Sequence, residues 1–220
     1  MNSRRGRLVT LAVLLAMAAV TVYAGGWSII TLADFPDYAL AGKPVTLTLS
    51  VRQHGNHLVD GLKPALRASA AGGLQVDAEA KPTGNEGEYT ATLRLASPGE
   101  WTIRVDGGFN PEDKTRSYNA MTLPSLAVVR DASSAVPTFS EAERGSRLFV
   151  AKGCVGCHAS GTDKDVTQKQ FAGDYLAKFL ADPSIRKVDM PNLKLKESEI
   201  SSLIAFINSQ ASATKKKASE

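Results

Sequence analysis

Cys154-Val155-Gly156-Cys157-His158 holds both cysteines of this 220-residue chain. Two thiols three positions apart, on a turn running into or out of a helix, reach the two vinyl groups on one side of a porphyrin. Each forms a thioether there. A histidine directly after the second cysteine then lies under the ring and offers a nitrogen to the iron. C-x-x-C-H is therefore read as the attachment pattern of one covalently bound heme c. The competing chemistries fit less well. A structural zinc site needs four ligands, and the chain has no further cysteine to complete one. A thioredoxin-like pair needs a βαβ context that the flanks lack. A plain Cys154–Cys157 disulfide gives His158 no role.

Outward from the pentapeptide, residues 139–210 read as helices. Ser140-Glu141-Ala142-Glu143 is a capping box, in which the serine hydroxyl and the glutamate three residues on satisfy each other's free backbone donors. The helix it starts is expected to reach about Ala151. A second helix is expected over Asp174–Ala181, stopped by Pro183, and a third over about Lys196–Ser209. In the third, Ile200, Leu203, Ile204 and Ile207 share one face.

This segment resembles a monoheme class I cytochrome c over nearly its whole length. The resemblance implies that Gly145 lets the first and last helices cross closely, with Phe149 and Phe206 packed at the crossing. It also implies a distal methionine in a loop before the last helix. Of Met1, Met17, Met121 and Met190, only Met190 lies in the segment, in Val188-Asp189-Met190-Pro191-Asn192-Leu193. Cys154 and Cys157 are thus expected to hold the heme, with His158 and Met190 as axial ligands of its iron. A thioether ligand raises the reduction potential. Filling both axial positions suits an electron carrier and not an enzyme. The rival from another class is a heme enzyme whose methionine dissociates.

Residues 27 to about 129 read as strands. Val45, Leu47, Leu49 and Val51 alternate with Thr46, Thr48, Ser50 and Arg52, the period of a half-buried strand. Tyr89–Leu95 alternates as well. The turn Ser97-Pro98-Gly99-Glu100 follows, then Trp101–Val105, and the pair is expected to form a hairpin. Further strands are expected at 28–32, 65–70, 74–80 and 117–129. About seven short strands over roughly 100 residues suggest an immunoglobulin-like antiparallel sandwich. Gly25-Gly26-Trp27, Ala41-Gly42-Lys43-Pro44 and Gly99-Glu100-Trp101 resemble the extracytoplasmic sandwiches called YtkA-like or FixH-like, over about 27–109. That resemblance implies a binding or scaffold module.

The fold class expected is two domains, an all-β immunoglobulin-like sandwich followed by an all-α cytochrome c domain. The divisions are 1–24 targeting segment, 25–130 sandwich, 131–138 linker, 139–210 heme domain and 211–220 basic tail. Arg4, Arg5 and Arg7 precede an apolar run from Leu8 to Val22, broken only by Thr10 and Thr21. Val22-Tyr23-Ala24 then offers small residues where a signal peptidase reads. Cleavage after Ala24 is expected. Retained uncleaved, the segment would associate the protein with the membrane. Either way the bulk of the chain is expected outside the cytoplasm, in a periplasmic or comparable compartment.

The whole chain carries 26 basic and 22 acidic residues, a net of +4, and without Arg4, Arg5 and Arg7 the balance falls to +1. No basic stripe with interleaved aromatics is present, so no nucleic-acid partner is expected. The expected partner is a redox protein or a membrane electron-transfer complex. Lys152, Lys164, Lys169, Lys187, Lys194 and Lys196 are interspersed with Asp163, Asp165, Asp174, Asp182 and Asp189. They read as a mixed solvated surface, with a basic docking ring around the heme edge as the alternative. His54-Gly55-Asn56-His57 reads as a solvated hairpin loop. A copper or zinc site at the two histidines is its alternative, and would make this a copper-handling or oxidase-assembly protein with the heme as redox partner.

Overall fold

The computed structural model describes residues 27–109, 120–172 and 174–218, the last six without their side chains. The targeting segment lies outside these residues. Among the described residues no helix is long and apolar enough to cross a membrane.

The N-terminal half is a sandwich of two sheets. The strands are β1 (Ser28–Leu32), β2 (Tyr38–Leu40), β3 (Pro44–Gln53), β4 (His57–Leu58), β5 (Ala65–Ala70), β6 (Leu74–Glu79), β7 (Lys81–Pro82), β8 (Glu88–Arg94), β9 (Gly99–Asp106), β10 (Ala120–Thr122) and β11 (Leu126–Val129). One sheet runs β1-β3-β8-β7 with β4 on β3; the other runs β2-β11-β9-β5-β6 with β10 on β9. The pairs are antiparallel apart from β2 with β11. Alternation decides which faces meet. Val45, Leu47, Leu49 and Val51 of β3 face Leu66, Ala68, Trp101, Ile103 and Val105 of the other sheet, all buried.

Tyr89–Leu95 and Trp101–Val105 do not form the expected hairpin. β8 pairs with β3 and β7, whereas β9 pairs with β5, β10 and β11. Ser97-Pro98 is a corner that carries the chain from one sheet to the other, and Trp101 Nε1 donates to Ser97 O at 3.0 Å to close it. A period of two shows only that one face is buried. That holds equally for a hairpin and for a corner whose strands bury the same faces against each other. The strand expected over 117–129 is divided, with Leu123-Pro124-Ser125 between β10 and β11. Its first three residues lie outside the described residues.

The C-terminal part is helical, with α1 (Glu141–Ala151), α2 (Tyr175–Ala181) and α3 (Glu197–Ala218). Ser140 caps α1 and the capping box is complete in both directions. Helix α3 runs nine residues past the expected Ser209, through the segment read as a tail. Residues 210–218 contain neither Gly nor Pro, and Ala211 is buried. Helices α1 and α3 cross at Gly145, where a methyl group would lie 2.5 Å from Ser202 C and 2.8 Å from Phe206 Cβ. Phe149 and Phe206 meet beside the crossing with centroids 5.3 Å apart at 53°. They head an apolar cluster with Leu148, Leu176, Leu180, Leu203 and Ile207.

The two halves are packed together. Ala151, at the end of α1, is fully enclosed and belongs to the sandwich core. Arg147 lies over the rings of Phe35 and Phe139, at 5.1 and 4.4 Å, and donates to Ser125 O at 2.7 Å. Arg144 pairs with Asp37 and Lys196 with Asp34. By sequence alone Lys152 belongs to the mixed solvated surface. Its side chain is only 5% exposed, and its Nζ reaches Glu199 Oε1 at 2.8 Å and Ala33 O at 2.7 Å. The other Glu199 oxygen accepts from Lys196 N at 2.9 Å, so one carboxylate caps α3 and neutralises the ammonium.

Candidate heme-attachment site

Helix α1 delivers the C-x-x-C-H motif. Gly153 ends it with φ 73°, a left-handed conformation that costs a glycine little. The same position faces β1, where a methyl group would lie 2.5 Å from Ile30 O and 2.6 Å from Ile29 Cγ2. Glycine is required on both counts. Cys154–Gly156 then form a turn of 3₁₀ helix, in which side chains three apart eclipse one another. Cys154 and Cys157 thereby share one side of the turn, the placement two thioethers to one ring edge need. The two cysteines are not paired in a disulfide, and both are half-buried. Burial pushes the Cys154 thiol up to about 12. Burial also raises Cys157, with Asp189 adding to the rise and Lys164 opposing it. Both thiols are thus neutral at neutral pH, as are the thioethers they would become.

His158 N donates to Cys154 O at 2.9 Å, holding the histidine on the same turn. Its Nδ1 lies 2.7 Å from Lys164 O. A carbonyl only accepts, so Nδ1 carries the proton and the ligating lone pair is on Nε2. Metal-bound histidines are oriented by this kind of contact. The carbonyl is itself held by its neighbour. The Asp165 carboxylate accepts from Gly161 N at 3.0 Å, Thr167 N at 2.8 Å, Thr167 Oγ1 at 2.6 Å and Gln168 Nε2 at 3.0 Å. The Thr167 hydroxyl, then the backbone donors, hold this carboxyl down at about 2. By sequence alone Asp165 is one more surface acid. Its spacing to Thr167 is the sequence sign of an Asx turn, the signal that marks its role.

Met190 occupies the expected irregular stretch before α3, half-buried against the helical cluster that Cys154 also touches. Cys154 and Met190 both pack on this apolar cluster, and Cys157 and His158 follow Cys154 on the same turn, so the chain offers two thiols, an oriented imidazole and a thioether. That donor set fits a covalently held, His/Met-ligated heme.

Residues 142–211 match the family model for cytochrome c. The match supports a cytochrome c domain after the sandwich, and the cofactor this implies is heme c. No curated protein matches the chain. Among solved structures, the filamin domain of Lin-41 is similar at 13% identity, over 49% of this chain and 100% of that one, with a TM-score of 0.35. The D00–D0 domain of intimin is similar at 14% identity, over 47% of this chain and 48% of that one, with a TM-score of 0.32.

The His54–His57 turn lies outside the cytochrome c domain match. Both histidines are exposed, and the His54 ring lies against Trp27 with centroids 6.2 Å apart. Among the described residues no three His, Cys, Asp or Glu side chains converge as a metal site.

Proposed function

We propose that this protein is an exported carrier of single electrons. One heme c is held by Cys154 and Cys157, with His158 Nε2 and Met190 Sδ as axial ligands. The observation that carries the reading is the C-x-x-C-H turn itself. It places both thiols on one side and leaves the imidazole with its lone pair on Nε2. When bound, the heme supplies an iron that passes between ferrous and ferric states. The protein side chains do the rest. Met190 and His158 would both hold the iron, which would leave no open position for dioxygen or peroxide. The apolar cluster around Phe149, Leu176, Leu180 and Leu203 keeps water from the ring.

Export rests on the N-terminal charge and hydropathy pattern and on heme c being assembled outside the cytoplasm. The protein works there, periplasmic or otherwise extracytoplasmic, with a redox protein or a membrane electron-transfer complex as partner. The sandwich, which resembles the YtkA-like modules, positions the cytochrome domain. Met190→Ala tests the ligation. The ferric protein is expected to lose its weak near-infrared sulfur band. Its potential is expected to fall by on the order of 0.1 V, within the range of about 0.8 V that axial ligands control. A variant that keeps both the band and the potential rules out Met190 as a ligand.

A further inference from the structure

We propose that the sandwich clamps the loop that carries the axial methionine, and that Asn56 is the positioning residue that does so. Asn56 sits at the tip of the β3–β4 turn, and its side-chain amide donates to the carboxylate of Asp189, the residue before Met190. The proposal rests on Met190 being an iron ligand.

The turn is built to hold Asn56 still. His54 and Gly55 both have positive φ, 52° and 83°. His54 N donates to Trp27 O at 3.0 Å and Asn56 N to Gln53 O at 3.2 Å, tying the tip to the residue before β1 and to the end of β3. Gly55 is buried, and a methyl group there would lie 3.3 Å from Trp27 and 3.4 Å from Ile29 Cδ1. The same Ile29 Cδ1 lies 3.2 Å from a methyl group placed on Gly156. One isoleucine therefore backs both the tip of the hairpin and the cysteine turn.

The methionine loop has the opposite character. Ser184 to Asp189 are all exposed, and Val188 is 53% exposed. From Arg186 to Asp189 the chain is exposed and irregular, held from its own domain by Arg186 over the Tyr175 ring at 5.3 Å and by Met190 on the helical cluster, and a segment with so few apolar contacts opens easily. A ligand on such a segment is as firmly placed as the anchors beside it. Asn56 supplies an anchor from a different domain, with a charged acceptor that strengthens the bond. Lys196 with Asp34 fixes the far end of the same segment to the sandwich. The sandwich is thus part of the redox centre and not only a handle on it.

The test uses the full ferric holoprotein and cyanide, which reaches the iron only when the methionine leaves. Loss of a contact that orients a ligand costs about 10–100-fold. Asn56→Ala is expected to bind cyanide about ten-fold faster than wild type. Asn56→Asp, which sets two carboxylates together, is expected to be faster still. His57→Ala, on the same turn, is expected to keep the wild-type rate. Asn56→Ala/Asp189→Ala is expected to be no faster than the quicker single variant, since both remove one bond. Equal rates for wild type and Asn56→Ala, or effects that simply multiply in the double variant, overturn the clamp. A wild-type protein without the sulfur band that takes cyanide at once overturns the ligation itself, a separate failure seen before any variant is made.

Discussion

Lys152→Met is expected to lower the free energy of unfolding by about 3–5 kcal/mol, the usual cost of removing one partner from a buried ion pair. The Lys152 side chain is 5% exposed and that of Glu199 10%. Methionine fills much the same volume, so the loss is electrostatic and not a cavity. It leaves the Glu199 carboxylate enclosed with the Lys196 backbone N–H as its remaining hydrogen bond among the described residues, and leaves Ala33 O without its 2.7 Å donor. Because Ala33 follows β1 and Glu199 lies in the first turn of α3, the same change loosens the cytochrome c domain on the sandwich. Denaturant unfolding should show the lower midpoint. Limited proteolysis should cut between the halves, near 131–138, sooner than in wild type. Lys152→Met/Glu199→Gln is expected to recover more than half of the loss, since no net charge is then buried. A single variant within 1 kcal/mol of wild type would show that the pair is open to water (roughly the value of an exposed pair).

Gly145→Ala should cost about 1–2 kcal/mol net, and Gly145→Val more. An ordinary glycine in a helix gives the reverse sign, because alanine gains about 1 kcal/mol of propensity. Here the added methyl overlaps the carbonyl oxygen of Ser202 and comes within 2.8 Å of Phe206 Cβ. Backbone cannot rotate aside as a side chain can. The helices must separate, and the Phe149–Phe206 contact opens with them. Overpacking of this sort costs about 1–3 kcal/mol and occasionally more, so it outweighs the propensity gain. Thermal unfolding followed through the helical signal measures it. An alanine variant as stable as wild type would mean that α1 and α3 do not cross as closely as described.

Local patterns in the sequence carry local structure well. The alternation in Val45–Arg52 marks a strand whose apolar face is buried, and Ser140-Glu141-Ala142-Glu143 marks the start of α1. The roles of Gly145, Phe149 and Phe206 were expected from family resemblance, and Gly145 does lie against Ser202 and Phe206. What fails is reasoning about which elements become neighbours. The alternation in Tyr89–Leu95 and Trp101–Val105 is the same whether the strands pair or cross between sheets. A lysine reads as exposed unless its partner is known, and the partner of Lys152 is Glu199, 47 positions away.

The docking of the two domains was the least legible feature. Asp131-Ala132-Ser133-Ser134-Ala135-Val136-Pro137-Thr138 has the composition of a linker, yet the halves it joins share a packed interface. Nothing in Asn56 or Asp189 as residue types distinguishes them from other polar loop residues. Their meeting depends on the turn at His54-Gly55 and on the packing of α1 against the β1–β2 connection. The C-x-x-C-H motif stood out because its chemistry needs only one short turn.

The mass and colour of the mature exported protein test the central claim most directly. If Cys154 and Cys157 carry the thioethers, the intact denatured chain is heavier than the polypeptide by one heme, and the colour stays with it through acid and organic solvent. Cys154→Ser/Cys157→Ser then leaves neither added mass nor retained colour. A wild-type chain with the mass of bare polypeptide and two titratable thiols would contradict the account.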